Sequence, residues 1–202
     1  MRYCLTGGIG AGKSYVCALL RERGVEIYDT DNAAKRLIAQ SPEIRRQLKE
    51  LIGGLDKQTI AAFLLKSEEN KLAINSIVHP AVIKDFLNSG CEWMECAIIY
   101  EAHLEQYVDK VIAVTAPKEV RIERIMSRDG ISREEAEQWI DAQYPQEKVA
   151  ERADFVIDND GNKDLQKQLE EIWQRLFYLS QGNLDYTNSY HVLTEHLSLR
   201  VS

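Results

Sequence analysis

The chain has 202 residues and a formal net charge of −7, with 28% charged and 45% apolar residues. This length suffices for one α/β domain with a helical insertion, and the composition is that of an ordinary soluble protein. The acidic balance argues against broad nucleic-acid binding, and no apolar run is long enough to cross a bilayer. Because the first residues are typical of a core strand and not of a signal peptide, we expect a cytoplasmic protein with no membrane partner.

Residues 7–14, GGIGAGKS, fill every fixed position of the phosphate-binding loop G-x-x-x-x-G-K-[ST]. A strand predicted over 2–6 and a helix predicted over 14–23 supply the strand–loop–helix order that such a loop needs. Lys13, expected to be exposed, can reach the β- and γ-phosphates of a nucleotide, and the Ser14 hydroxyl can bind Mg²⁺. The predicted nucleotide-binding residues are Gly8, Gly10, Ala11, Gly12, Lys13, Ser14 and Tyr15.

Strand and helix patterns alternate along the rest of the chain, which predicts an α/β fold with a five-stranded parallel sheet. A helical excursion without strands separates the second strand from the third, and the tail from 179 to 202 has no assignable pattern. The later strands are predicted over 25–28, 93–99, 110–115 and 154–157. The later helices are predicted over 32–39, 42–51, 56–65, 68–87, within 118–151, and over 165–179.

Two aspartates, Asp29 and Asp31, directly follow the second predicted strand. At this edge of a parallel sheet a carboxylate can accept a proton from an attacking hydroxyl or hold Mg²⁺. Alternation along an extended chain points the two side chains in opposite directions, so we expect only one to face the phosphates. The alternative is that either aspartate only caps the following helix, and for Asp31 this remains open.

Three arginines, Arg121, Arg124 and Arg128, recur at helical spacing and therefore share one face. Such a row is ordinarily a solvated face paired with acidic residues. Here it follows a strand and precedes a turn at Gly130, the place where phosphoryl-transfer enzymes of this size carry a mobile lid. An arginine on a lid can neutralise charge that develops on a transferred phosphoryl group.

The cysteines and the C-terminal histidines indicate no metal site. Cys4, Cys17 and Cys96 lie in apolar patterns typical of small core residues, and no C-x-x-C pair or zinc-finger spacing occurs. His191 and His196 are interpreted as solvated side chains of the tail.

Seven stretches in this order resemble the dephospho-coenzyme A kinase family of P-loop kinases, over residues 2 to about 176. The phosphate loop alone is shared by many kinases, whereas the ordered set is specific. The stretches are 5–14, Asp29-Thr30-Asp31 before a helix, His79-Pro80, Ile98-Ile99-Tyr100-Glu101, Arg124 with Arg128-Asp129-Gly130, Ala142-Gln143, and 153–159.

The resemblance implies a fold, a domain organisation and an activity. It implies one P-loop kinase domain over 1–202, with a core of 1–30, 91–117 and 153–178. A helical acceptor subdomain is expected over about 31–90, and a helical lid over about 118–152. The implied activity is phosphorylation of the ribose 3′-hydroxyl of dephospho-coenzyme A, with ATP and Mg²⁺, in a monomer or weak oligomer.

The resemblance also implies residue roles. Lys13, Asp31 and Arg128 are the expected catalytic residues, with Asp31 as the base and Arg128 on the lid. Asn159 is expected near the adenine, and Ser14 and Asp29 near the metal. Acceptor binding is assigned to Asp31, His79, Pro80 and Glu101. Taken alone, His79 before Pro80 is typical of a structural residue at a helix end.

Two other functions remain open on the sequence. One is another small-molecule, nucleoside or nucleotide kinase of the same architecture. The other is a nucleotide-dependent switch, although a guanine-specific switch needs an N-K-x-D loop and residues 162–165 end in Leu165.

Overall fold

Five parallel strands form one sheet with the order β2-β3-β1-β4-β5. The strands are β1 (Tyr3–Thr6), β2 (Ile27–Asp29), β3 (Trp93–Glu95), β4 (Lys110–Thr115) and β5 (Phe155–Asp158). The central strand β1 is buried along its whole length, as expected of a parallel strand covered on both faces. The structure, a computed structural model, describes residues 1–180. The unassigned tail from Gln181, with His191 and His196, lies outside the described residues.

The predicted five-stranded parallel sheet is confirmed, and the third strand departs furthest from its predicted bounds. The third strand ends at Glu95 and not at 99, because the chain turns there. Cys96 and Ile99 are nevertheless buried, so their apolar character reflects core packing outside a strand.

Nine α-helices are present in the described part of the chain. They are α1 (Lys13–Glu22), α2 (Thr30–Gln40), α3 (Pro42–Ile52), α4 (Lys57–Leu64), α5 (Glu68–Ser89), α6 (Lys118–Asp129), α7 (Arg133–Asp141), α8 (Gln146–Arg152) and α9 (Leu165–Ser180). A first compact unit, 1–162, contains the sheet and α1–α8. A second begins at Lys163, and its described part contains α9, with Leu169, Ile172 and Leu176 on one stripe.

The helical excursion between β2 and β3 consists of α2–α5. Side-chain caps begin each of these helices: Asp29, Ser41, Asp56 and Ser67 each accept a hydrogen bond from the backbone three residues on. Helix α5 continues through Pro80 to Ser89, so the helix predicted over 68–87 is confirmed, and the alternative in which His79 ends a helix is wrong.

A polar link ties the excursion to the sheet. The hydroxyl of Tyr28, in β2, lies 2.7 Å from the Asp85 carboxylate of α5, and the Arg36 guanidinium of α2 bonds the same carboxylate. The apolar core around this link joins Leu48 and Phe86 of the excursion to Met94 of the sheet. No helix within residues 1–180 is long and apolar enough to span a membrane.

Candidate active site

A cleft of about 590 Å³ lies at the carboxyl edge of the sheet, where β1, β2 and β3 end. It is bounded by the phosphate loop, the start of α2, the end of β3 and the outer part of α6. The lining residues are Gly7, Gly8, Ile9, Gly10, Gly12, Lys13, Ser14, Asp29, Asp31, Asn32, Lys35, Glu95, Ala97, Arg124, Arg128 and Gln143.

The phosphate loop is a tight turn that only glycine allows at two of its positions. Gly10 and Gly12 have φ of 76° and 93°, and a methyl group on Gly12 would lie 2.0 Å from the Asn159 amide nitrogen. The Ala11 N–H closes the turn on the Gly8 carbonyl at 3.2 Å. Helix α1 starts at Lys13 with no side-chain cap, so its first N–H groups remain available to an anion.

Lys13 is paired with an acidic residue that we did not predict. Its ammonium donates to Glu95 Oε1 at 2.5 Å, and only 15% of its side chain is exposed, so the expectation of an exposed lysine is wrong. The other Glu95 oxygen accepts from the Cys17 thiol at 3.3 Å. Burial, and then the Glu95 carboxylate, raise the pKa of Cys17 to about 12.

The two aspartates have different surroundings. Asp29 caps α2, with its carboxylate accepting from the Asn32 backbone N–H at 2.9 Å and from the Asn32 side chain at 2.7 Å. Asp31 lies in the first turn of α2, is exposed, and makes no hydrogen bond or ion pair with residues 1–180. Both line the same cleft, so the expectation of opposite directions is wrong, because α2 already starts at Thr30.

The arginine row of α6 is not a solvated face. Arg121 is buried and donates to the Ile9 carbonyl at 2.8 Å. Arg124 donates to the Gly10 carbonyl at 3.3 Å and to the Asn159 carbonyl at 3.1 Å. Arg128, at the outer end of α6, is 60% exposed, lines the cleft and bonds the neighbouring Asp129 carboxylate at 2.7 Å.

Two predicted nucleotide-binding side chains lie away from the open cleft. Asn159 is buried and donates its amide to the Ala11 carbonyl at 2.8 Å, so its side chain supports the phosphate loop. Tyr15 is 57% exposed and does not line the cleft, although its backbone N–H bonds the Gly12 carbonyl.

His79, Pro80 and Glu101, the expected acceptor residues, share a second cavity of about 420 Å³. It lies between α5 and the segment from Glu101 to Tyr107, and its other lining residues are a mixture of apolar and polar side chains. One oxygen of Glu101 is buried without a hydrogen-bond partner within the described residues. Burial lowers the pKa of His79, which favours the neutral imidazole.

Comparison with known proteins supports the family resemblance that the order of the motifs suggested. A family model described as Dephospho-CoA kinase matches residues 2–164. The chain belongs to this family. A relative named Dephospho-CoA kinase from Chlorobaculum tepidum is 37% identical over 196 residues, covering 85% of this chain and 93% of that one. A relative of the same name from Bacteroides fragilis is 37% identical over 193 residues, covering 87% and 94%.

Solved structures show the same fold. A Thermus thermophilus protein has a TM-score of 0.76 and 31% identity, covering 87% of this chain and 97% of that chain. A dephospho-CoA kinase from Campylobacter jejuni has a TM-score of 0.57 at 22% identity, covering 91% and 98%, and so supports the fold alone. As a member of the dephospho-CoA kinase family, the chain uses ATP to phosphorylate the ribose 3′-hydroxyl of dephospho-CoA, the final step of coenzyme A synthesis.

The family's predicted site residues therefore fall into two places. Lys13, Ser14, Asp29, Asp31 and Arg128 meet in the phosphate-loop cleft, whereas the acceptor residues other than Asp31 line the second cavity.

Sequence reasoning missed Glu95 and Lys35, which also line the cleft. The signal for Glu95 was an acidic residue at the carboxyl end of a short apolar strand, the same signal that marked the two aspartates after β2. Lys35 lies one helical turn after Asp31, on the same face of α2.

Proposed function

We propose that Lys13, Asp31 and Arg128 carry the phosphoryl transfer of this family in the phosphate-loop cleft. The observation that supports this most is their convergence. A carboxylate without a partner in residues 1–180, a lysine of the phosphate loop and an arginine of the outer lid helix line one cleft. Phosphoryl transfer depends mainly on positioning and charge stabilisation, and this set supplies both.

The phosphate loop binds the nucleotide phosphates through its backbone. The loop presents N–H groups at Gly8, Gly10 and Gly12, and the uncapped start of α1 adds those of its first residues, in a turn whose glycines leave room for phosphate oxygens. Lys13 adds positive charge at the same wall. Its ion pair with Glu95 holds the ammonium in place and limits where it reaches.

Asp31 acts as the proton acceptor. Its carboxylate is exposed to the cleft and makes no bond within the described residues, so both oxygens are free for the ribose hydroxyl. Asp29 already caps α2, which leaves Asp31 free of that structural task. The 3′-hydroxyl gives its proton to Asp31 as its oxygen attacks the γ-phosphorus, and ADP departs.

The cleft residues fit a magnesium ion that accompanies the nucleotide. Oxygen donors suit Mg²⁺, and Ser14, Asp29 and Glu95 line one cleft. Within residues 1–180 no cluster of three acidic, histidine or cysteine side chains forms a metal site, which suits an ion held mostly by phosphates. Ser14 and Asp29 would hold the ion, which supplies charge neutralisation for the phosphates.

The second cavity receives the part of dephospho-CoA that extends away from the reacting ribose. Pro80 has no N–H, so the Ser76 carbonyl one turn earlier lacks its helical partner, and Ser76 lines this cavity. This carbonyl can accept an amide N–H group, and the rest of this part suits the apolar side chains of the wall, which are Leu72, Ile83, Ala102 and Leu104. We assign 31–90 to acceptor binding on this basis, and 118–152 to the lid because Arg128 of this segment lines the phosphate-loop cleft.

The test is a coupled ADP-release assay with dephospho-CoA against a panel of nucleosides, nucleotides and small alcohols. Dephospho-CoA is expected to stimulate ADP release strongly and to be phosphorylated once per ADP. Equal stimulation by another acceptor would favour a different kinase of this architecture. Slow ATP hydrolysis that no acceptor stimulates would favour a nucleotide-dependent switch.

A further inference from the structure

Ile9, in the middle of the phosphate loop, is held at both of its backbone groups by the segment 118–152. Its N–H donates to Gln143 Oε1 at 2.7 Å, and its carbonyl accepts from Arg121 Nε at 2.8 Å. The Gln143 oxygen also accepts from Arg121 at 3.4 Å, so the three groups form one small network. Because both neighbours of this oxygen are donors, the amide orientation of Gln143 is fixed by the network.

The Ile9 side chain is held by the same segment. It packs against an apolar cluster built by α6 and α7, whose buried members include Ile122, Ile125, Ala136 and Ile140. Ile9 therefore contacts this segment with its donor, its acceptor and its side chain.

Burial of the charged Arg121 guanidinium costs free energy, which its hydrogen bonds at the phosphate loop help to offset. Only 5% of it is exposed, and within residues 1–180 it forms no ion pair. Burial lowers its pKa, although Glu147 and Asp141 oppose this from a distance. A methyl group added to Gly8 would lie 2.6 Å from its guanidinium, so a positive charge lies directly behind the loop. A buried guanidinium normally has a carboxylate partner, and here a peptide carbonyl and an amide take that place.

Because the peptide unit is planar, the contacts of the Ile9 backbone fix the direction of the neighbouring Gly10 N–H. In a trans peptide the carbonyl and the N–H point in opposite directions. The Ile9 carbonyl points to Arg121, so the N–H of Gly10 points away from α6. That N–H makes no hydrogen bond within the described part of the chain, and Gly10 lines the cleft. Similarly, the Ile9 N–H points to Gln143, and the Gly8 carbonyl on the same peptide accepts the turn-closing bond from Ala11.

We propose that Arg121 and Gln143 are positioning residues for ATP, which hold the two peptide groups on either side of Ile9 so that the Gly10 N–H faces the phosphates. The proposal rests on the proposed use of this loop for ATP. It also means that the first turns of α6, and Gln143 after α7, support the phosphate loop and do not act only as a lid.

The test compares two glutamines of the same segment. Gln143→Met keeps the side-chain size but removes the acceptor. Gln146→Met is the matched control, because Gln146 bonds the Ala116 backbone with both its amide atoms and does not touch the loop. For each protein, the ATP dissociation constant is measured by calorimetry, and kcat and both KM values by ADP release. All measurements are made well below the melting temperature of every variant.

We expect Gln143→Met to weaken ATP binding about 10-fold or more, with a KM for dephospho-CoA within about twofold of wild type, as for loss of a specific positioning contact. Gln146→Met should lower the melting temperature only. Arg121→Lys should resemble Gln143→Met, and the double variant should be little worse than either single one, since both act on Ile9. If Gln143→Met and Gln146→Met both lower the melting temperature and leave ATP affinity unchanged, the proposal is overturned.

Calorimetry with ATP separates this inference from the proposed function. An ATP-binding defect in Gln143→Met would support the positioning role even if wild-type protein preferred another acceptor. Unchanged ATP binding in Gln143→Met, alongside normal wild-type turnover with dephospho-CoA, would contradict the positioning role alone.

Discussion

Asp31→Asn separates the two interpretations of the aspartates that follow β2. The substitution keeps the size of the side chain and removes its ability to take a proton. Asp29, and not Asp31, caps α2, and Asp31 has no bond to residues 1–180 that the substitution would break. The expected effect is therefore on turnover and not on folding.

The size of each effect follows from these surroundings. A positioned general base contributes about 10²- to 10⁴-fold to the rate, which corresponds to about 2.7–5.4 kcal/mol of activation free energy. The only loss of stability expected is the favourable interaction of a charge with the N-terminus of α2, about 0.3–1 kcal/mol. For a chain of this length that shifts the melting temperature by roughly 1–4 °C.

The assay measures kcat, both KM values and the ATP dissociation constant for Asp31→Asn and for Asp29→Ala. We expect a fall in kcat of at least about 100-fold for Asp31→Asn with nearly unchanged ATP affinity. Asp29→Ala should lose about 0.5–2 kcal/mol of stability through its cap. A kcat for Asp31→Asn within threefold of wild type would refute the base assignment and direct attention to Asp29.

Lys13→Ala should lower kcat at least ~10²-fold, and it should destabilise the fold because the Glu95 carboxylate loses its ammonium partner. Adding Glu95→Gln to this variant should restore the melting temperature but not turnover. Recovered turnover in the double variant would contradict the role of Lys13. Arg128→Lys should lower kcat by roughly 10-fold, because an ammonium cannot bridge two phosphoryl oxygens. Arg133→Lys is the control, because Arg133 is exposed and pairs with two surface glutamates. Equal, small effects of both substitutions would exclude a specific role for Arg128 on the lid. Because the pKa of His79 is lowered in the folded state, the folded protein resists protonation, and its unfolding free energy falls as the pH drops below the unfolded pKa of about 6.5. His79→Asn should reduce the slope of this fall by at most about 1.4 kcal/mol per pH unit. Identical slopes for the two proteins in urea unfolding from pH 7 to 5 would contradict this.

The sheet and its helices were predictable because periodicity and turn residues are local. The strand over 110–115 was predicted with its observed ends, since its β-branched run is followed closely by Pro117, which precedes α6. The third strand was predicted too long because apolar character reports burial and not backbone conformation. Cys96 and Ile99 are buried outside any strand, Ile99 in a turn, and the sequence pattern does not distinguish such residues from a buried strand.

The site was only partly predictable, because its remaining members depend on which distant surfaces meet. Helical spacing placed Arg121 and Arg124 on one face but did not reveal that this face covers the phosphate loop, more than 100 residues earlier in the chain. The motif predicted Lys13 as a member of the site, and Lys13 lines the cleft, whereas its partner Glu95 lies on β3, far away in the sequence. The alternation rule failed for Asp29 and Asp31 because a helix starts between them.

The Glu95 carboxylate has a consequence for the chemical durability of the site. The same carboxylate that holds Lys13 also accepts from Cys17, whose thiol stays protonated at neutral pH because its pKa is about 12. Thiolates, not thiols, react with oxidants and alkylating agents. The positive charges of Lys13 and Arg21 lower the pKa of Cys17, but burial and the Glu95 carboxylate outweigh them. Burial and protonation together keep Cys17 unreactive toward oxidants, although it lies beside the phosphate site.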